Sequence, residues 1–236
     1  MDFISHGLWS GIAAKALNQM AHARSSKNWA SHKDSAGRAS WRRPLFAVPR
    51  LSMGRMVFWG AFPDIFAFIP FFLWLLGNLL LGEVALSAMP RPSDMEPMPS
   101  GGAPIYRATA ALYQFSHSLV LFLLSFLIAW LLFRRPLWEM GAWCLHIFLD
   151  IFTHSYNFYP TPFLWPVSLV KFNGVGWDHP WFLVLNYSAI ALALLWLSRR
   201  KKSLPQTPFS QNFNSTDAGE SSLSLIPKPV ESSSPR

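Results

Sequence analysis

In the stretch LHIFLDIFTHS, His146, Asp150 and His154 recur at intervals of four. On an α-helix that interval advances a side chain by only about 40°, so the three form one stripe and can point into one pocket. Imidazole nitrogens and carboxylate oxygens are donors that zinc, iron and manganese all accept, and the residue types alone do not choose among these metals. The stripe also lies in an apolar segment, where an unpaired carboxylate is costly. A divalent cation would supply the charge that keeps Asp150 ionised while the histidines donate lone pairs. A structural polar network between helices, or an ion or proton path, would draw on the same residue types.

Three further residues could complete a ligand shell: His6 in SHG, Asp64 in FPDIF and His117 in QFSHS. Asp64 sits in an apolar run and needs a partner there. The pairs Ser5–His6 and Ser116–His117 suit ring orientation, but neighbours on a helix face different ways, so neither is read as part of a catalytic triad. His22, His32 and His179 fit no pattern, and the chain has no glycine-rich phosphate loop and no paired CxxC elements.

The elements that must carry these side chains are apolar helices. Hydrophobic residues make up 51% of the chain against 14% charged, with a mean hydropathy of +0.22, and the excess comes in blocks. Residues 71–81, 119–133 and 181–197 are almost uninterrupted apolar runs that, with their flanks, approach the ~20 residues needed to cross a bilayer. The expected architecture is an all-α, polytopic transmembrane bundle of about four spans: 56–81, 105–133, 136–155 and 180–197. An amphipathic helix over 2–20 precedes them. Pro63 and Pro70 argue against a straight, unbroken first span. Residues 21–55 read as a mobile loop and 83–104, rich in Pro and Gly, as a linker. Residues 1–202 form the membrane domain, and the Ser/Pro-rich 203–236 reads as a disordered tail.

The net charge of +8 raises nucleic acid as a partner, but its placement argues against that. Arg50 and Arg55, Arg134 and Arg135, and Arg199 to Lys202 mark the ends of apolar blocks, which is a topology signal that places both termini in the cytoplasm. Trp9, Trp29, Trp41, Trp165 and Trp177 read as interfacial anchors. The single cysteine, Cys144, permits no internal disulfide, and no signal peptide is evident. Oligomeric state is not legible.

This topology creates a tension. Asp64 lies nine residues beyond Arg55 and His117 seventeen before Arg134. On ideal helices those offsets are roughly 13 and 25 Å from the same membrane face, so the two side chains meet only if a helix tilts or breaks.

The segments SHGLWSG, FWGAFPDI, FSHSL and LHIFLDIFTHSYNFYPTPFLWPVS, in order along the first 170 residues or so, closely resemble the membrane-bound, predicted metal-dependent hydrolases related to the LexA-regulated inner-membrane hydrolase family. The last segment is the most specific, joining the H-x3-D-x3-H stripe to an LWP turn and Ser168. The chain departs from the usual pattern in its THS ending and in the insertion 156–162. The resemblance implies a bacterial inner-membrane hydrolase with a site built from His6, Asp64, His117, His146, Asp150 and His154. A weaker kinship to zinc-dependent phospholipases favours zinc. Metal-assisted hydrolysis of a lipid or lipid-linked phosphoester is then the expected chemistry, with Asp64 the preferred proton acceptor and Asp150 the second catalytic carboxylate. The alternative is a non-catalytic membrane module that binds an ion or braces the bundle.

Overall fold

A computed structural model describes residues 1–31, 49–83, 104–157 and 159–202. The expected loop core and Trp41, most of the expected linker and the expected tail lie outside these residues, as does His32. The side chain of Trp29 is likewise not described.

Six α-helices occur among the described residues: α1 (Phe3–Ser31), α2 (Met53–Leu80), α3 (Pro104–Ser116), α4 (Leu119–Phe133), α5 (Gly141–Thr153) and α6 (Pro180–Lys202). A 3-10 turn, Trp138–Met140, leads into α5. Residues Met1–Arg199 form one compact unit.

Among the described residues a buried polar cluster lies beside apolar core clusters, while many large apolar side chains face outward. Ser5, His6, Ser10, Ser116, His117, His146 and Asp150 are buried, while Phe72, Leu73 and Leu76 on α2, Leu131 and Leu132 on α4, and Val184, Leu185 and Leu192 on α6 are exposed. Water would penalise that arrangement; hydrocarbon favours it, because lipid-facing apolar groups lose nothing and polar groups must find partners within the protein. By length and composition, α2 and α6 can each cross a membrane, and α3 with α4 make a third candidate if the bent pair is one span. The protein is therefore a helical, membrane-associated one.

Helix length does not reach the expected count of four. The segment 136–155 was expected to cross, but it holds the 3-10 turn and an α5 of thirteen residues, about 20 Å long where the hydrocarbon is about 30 Å thick. The expected single helix over 105–133 is instead two helices meeting at 65°. Serine chemistry makes the break. Ser118 is extended and caps α4 by accepting from the Leu121 amide at 3.2 Å. Its own hydroxyl donates to the Trp165 carbonyl, and the Leu119 amide donates to the Phe163 carbonyl at 2.9 Å. Contrary to expectation, α2 runs on through both Pro63 and Pro70. α1 is longer than the expected 2–20, and it turns Ser5, His6 and Ser10 inward and Phe3, Ile4 and Leu8 outward.

Small residues let α1 lie close against α2. A Cβ at Gly7 or Gly11 would come within 3.3 Å of the Val57 side chain, and one at Gly60 would overlap the Ser10 side chain. Such small-residue contacts are the usual means of bringing helices together in lipid. α1 is tied to α6 by polar groups: Trp9 donates its ring N–H to Asn186 at 2.9 Å, and Asn186 donates to Ser5 at 2.8 Å. Trp9 thus serves a helix contact. The buried Glu139 accepts from the Ser52 amide and from Arg55, both at 3.2 Å, which fixes the start of α2 against the turn before α5.

Candidate metal centre

Four elements bring the ionisable residues together. α1 supplies His6, α2 Asp64, the α3–α4 break His117, and α5 with its C-terminal cap His146, Asp150 and His154. All six sequence-predicted residues lie within one cluster of contacts, including the pair in tension, but His6 and His154 make polar contact with it only at Asp150 Oδ1 and fall outside the group that could hold a metal. His117 Nε2 lies 3.4 Å from Asp64 Oδ1, because the chain bends at His117 and the depth expected of one straight helix does not apply. Asp64, His117, His146 and Asp150 each offer one ligand atom, all within 4.8 Å of one another.

Ring tautomers follow from the backbone. His146 Nδ1 lies 2.7 Å from the Gly60 carbonyl, His117 Nδ1 3.1 Å from the Tyr113 carbonyl and His154 Nδ1 2.8 Å from the Tyr159 carbonyl. A carbonyl can only accept, so each Nδ1 carries a proton, and in the neutral ring each Nε2 presents a lone pair. Yet the Nε2 atoms of His146 and His117 are 3.0 Å apart. The Asp150 Oδ2 oxygen lies 3.0 Å from the first and 3.3 Å from the second. With the rings neutral, two Nε2 lone pairs and two carboxylates thus converge, and no hydrogen bond reaches Oδ2 of Asp64 or of Asp150. Such a set is repulsive by itself and is relieved by a cation. The carbonyl behind each ring is the outer contact that metal-bound histidines characteristically make.

Each carbonyl has a local cause. Gly60 lies on the α2 face that meets α1 and α5, where the absence of a side chain leaves its carbonyl accessible to His146. Tyr113 precedes His117 by one helical turn; its ring stacks on the imidazole at 3.8 Å, and Ser116 Oγ is 2.9 Å from the same Nδ1. Tyr159 adopts a left-handed φ of 44°, a sparsely populated region for a bulky residue. Its carbonyl accepts from both His154 and the Tyr113 hydroxyl, the latter at 2.9 Å. The Tyr159 carbonyl therefore orients the His154 ring.

The end of α5 is held from the other side. Gly174, Val175 and Trp177 donate their amides to the carbonyls of His154, Phe152 and Thr153 at 2.8, 2.9 and 3.0 Å. A Cβ at Gly174 would overlap the Phe152 carbonyl, so a side chain there would push this loop off the helix end.

His6 differs from the other rings. It stacks on His146 at 3.6 Å and places Nε2 at 2.8 Å from Asp150 Oδ1, but its Nδ1 has no hydrogen-bond partner. Burial lowers the His6 pKa to about 4, outweighing the pull of the Asp150 carboxylate, so the ring is neutral at pH 7. Asp2, just outside the cluster, is pushed upward by burial. Hydrogen bonds from the Ser5 hydroxyl and amide and from Tyr187 outweigh that push, and its pKa lies below the ordinary value.

Sequence reasoning missed Tyr113, Thr153 and the carbonyls of Gly60 and Tyr159. Tyr113 and Thr153 were legible in principle from helical spacing to His117 and Asp150, whereas a carbonyl has no signature in residue type. Comparison with protein-family models, curated proteins and solved structures found no match. What fold and site define is a class: a helical, membrane-associated protein with a buried His/Asp cluster suited to a metal ion.

Proposed function

We propose that this chain is a membrane-bound, metal-dependent hydrolase that acts on a lipid or lipid-linked phosphoester, with zinc in the Asp64–His117–His146–Asp150 seat. The observation that carries the reading is the convergence of two Nε2 lone pairs and two carboxylates in a buried pocket. A divalent cation held there supplies Lewis acidity, lowering the pKa of water and offsetting charge on a phosphoryl oxygen. Asp64 is the proton acceptor in this reading. Its Oδ2 has no hydrogen-bond partner, and at 12% its side chain is the most accessible of the four. Asp150, fully enclosed, serves as a ligand. The exposed apolar surface around the site supports a substrate drawn from the bilayer.

To test this, chelator-free protein in detergent is assayed for metal and for phosphoester hydrolysis against a panel of lipid phosphates. The expected result is near-stoichiometric metal, with activity lost on chelation and restored by zinc. Asp64→Asn should keep most of the metal and lose at least about 100-fold in rate, the scale of general-base catalysis. Absence of metal would sink the reading; metal without any hydrolysis would favour the non-catalytic alternative.

Four crossings with cytoplasmic termini remain our topology. The third is formed by the short α5 together with the loop that follows, since irregular backbone is tolerated at membrane depth where protein satisfies it, and the α5 carbonyls do so here. Reporters at Ser87 and Ser203 should then report opposite faces. Only three crossings, by α2, the bent pair and α6, would put both on one face.

A further inference from the structure

The chain after α5 carries an apolar stretch that no helix organises. Residues 164–172, LWPVSLVKF, hold one charge, that of Lys171, and run through turns and irregular backbone. Val167 and Leu169 are 80 and 77% exposed, with Val170 and Phe172 exposed beside them. Water penalises such a patch. The hydrocarbon interior penalises it too, because backbone amides must be satisfied there, and those of Leu169, Lys171 and Phe172 find no hydrogen-bond partner among the described residues. The boundary between headgroups and acyl chains meets both demands: apolar side chains reach inward, while water and headgroups serve the backbone.

The segment is also tied at both ends to the elements that carry the metal-capable cluster. Near its start, the Phe163 carbonyl accepts from the Leu119 amide and the Trp165 carbonyl from the Ser118 hydroxyl, next to His117. Near its end, Gly174 donates to the His154 carbonyl at 2.8 Å, and the Tyr156 hydroxyl donates to the Lys171 carbonyl at 3.1 Å. Tyr156 and Trp181, both exposed, flank it with rings that are polar at one end, the residue types enriched at that boundary. Lys171 adds a long apolar stem whose amine can reach lipid phosphate.

We propose that residues 164–172 lie in the headgroup–acyl boundary of the bilayer, with the apolar side chains against acyl chains and the Lys171 amine against lipid phosphate. Such a placement fixes the depth of the cluster. His154 caps α5 where the loop docks, and Asp150 and His146 lie four and eight residues back along the helix. They are therefore at most about 6 and 12 Å deeper than the loop, and tilt only shortens those depths. The midplane of a hydrocarbon layer about 30 Å thick is deeper still. The placement does not rest on the hydrolase reading, but it narrows that reading to substrate bonds close to the headgroup.

The test uses full-length protein in which Cys144→Ser removes the one native thiol. A nitroxide is attached singly at Leu169→Cys and at Phe148→Cys, the latter on the outward side of α5. The protein is reconstituted in phosphatidylcholine vesicles containing anionic phosphatidylglycerol, and power saturation with oxygen and a nickel chelate reads depth. The label at position 169 should report the boundary layer. The label at position 148, six residues short of His154, should be deeper by no more than about 9 Å. Lys171→Glu should shift the label at position 169 toward water. A label at 169 as open to the nickel chelate as one in bulk water, or as deep as the midplane, overturns the proposal. So does a label closed to both reagents, the mark of a second copy or another protein covering the loop. An unshifted label in the Lys171→Glu protein overturns the phosphate contact, and a label at 148 deeper than stated overturns the depth of the cluster. None of these outcomes touches bound metal or hydrolysis, so failure here leaves the hydrolase reading to its own assay. Should circular dichroism show that Leu169→Cys does not fold, Val167→Cys, similarly exposed, gives the same reading.

Discussion

α4 and α5 are nearly equal in length, fifteen and thirteen residues, and both are strongly apolar, yet they do opposite work. α4 buries a single residue, Phe122. α5 buries Ala142, Trp143, His146, Ile147, Asp150 and Thr153, spaced by one, three or four positions, which puts them on one side of the helix. Around that side the rest of the molecule is organised: Trp143 donates to the Ser116 carbonyl at 2.6 Å, and His146 reaches the Gly60 carbonyl of α2. The lesson is that in a membrane-like setting apolar content does not identify the core. Polar residues with a helical period do.

That contrast predicts unequal responses to single changes. The largest is expected at Asp150, where Asp150→Asn removes the charge that both sides of the cluster share. Metal affinity should fall by more than about 100-fold, beyond the 10- to 100-fold typical of changes to outer contacts. Isothermal titration with Zn²⁺ in detergent gives the number, and affinity within tenfold of wild type would break the claim that α5 organises the site. The smallest is expected on α4. Leu131→Ala, at an exposed position, should leave metal affinity unchanged and shift unfolding by no more than about 0.5 kcal/mol. A loss as large as a core truncation, about 2–5 kcal/mol, would mean that α4 is covered by something other than lipid.

Much of this was legible in the sequence, and the reasons are physical. The stripe His146–Asp150–His154 follows from helical geometry, and Asp64 announces itself as a carboxylate in an apolar run. His6 and His117 stand on short motifs, and four of the six, Asp64, His117, His146 and Asp150, come together as a group that could hold a metal, with His6 and His154 beside Asp150. Lengths and breaks were less legible. The run 105–133 has no proline or glycine to mark a stop, and the bend at Ser118 depends on the Trp165 and Phe163 carbonyls, distant in sequence. Conversely, Pro63 and Pro70 looked like breaks and are not: α2 runs through both. α5 read as a crossing because its composition suits one, although its thirteen residues are too few for a helix to do it alone.

The break at Ser118 has a consequence for how the protein meets bilayers of different thickness. At 1.5 Å per residue α4 spans about 22 Å, and hydrophobic mismatch is ordinarily taken up by helix tilt. Here the pivot for such a tilt is Ser118, pinned to the Trp165 carbonyl. The neighbouring imidazole of His117 is anchored on the α3 side, to the Tyr113 carbonyl and Ser116. The ring that faces Asp64 and Asp150 is thus held by α3 rather than by α4, while α4 meets the site's organising helix through Phe122 packed on Trp143.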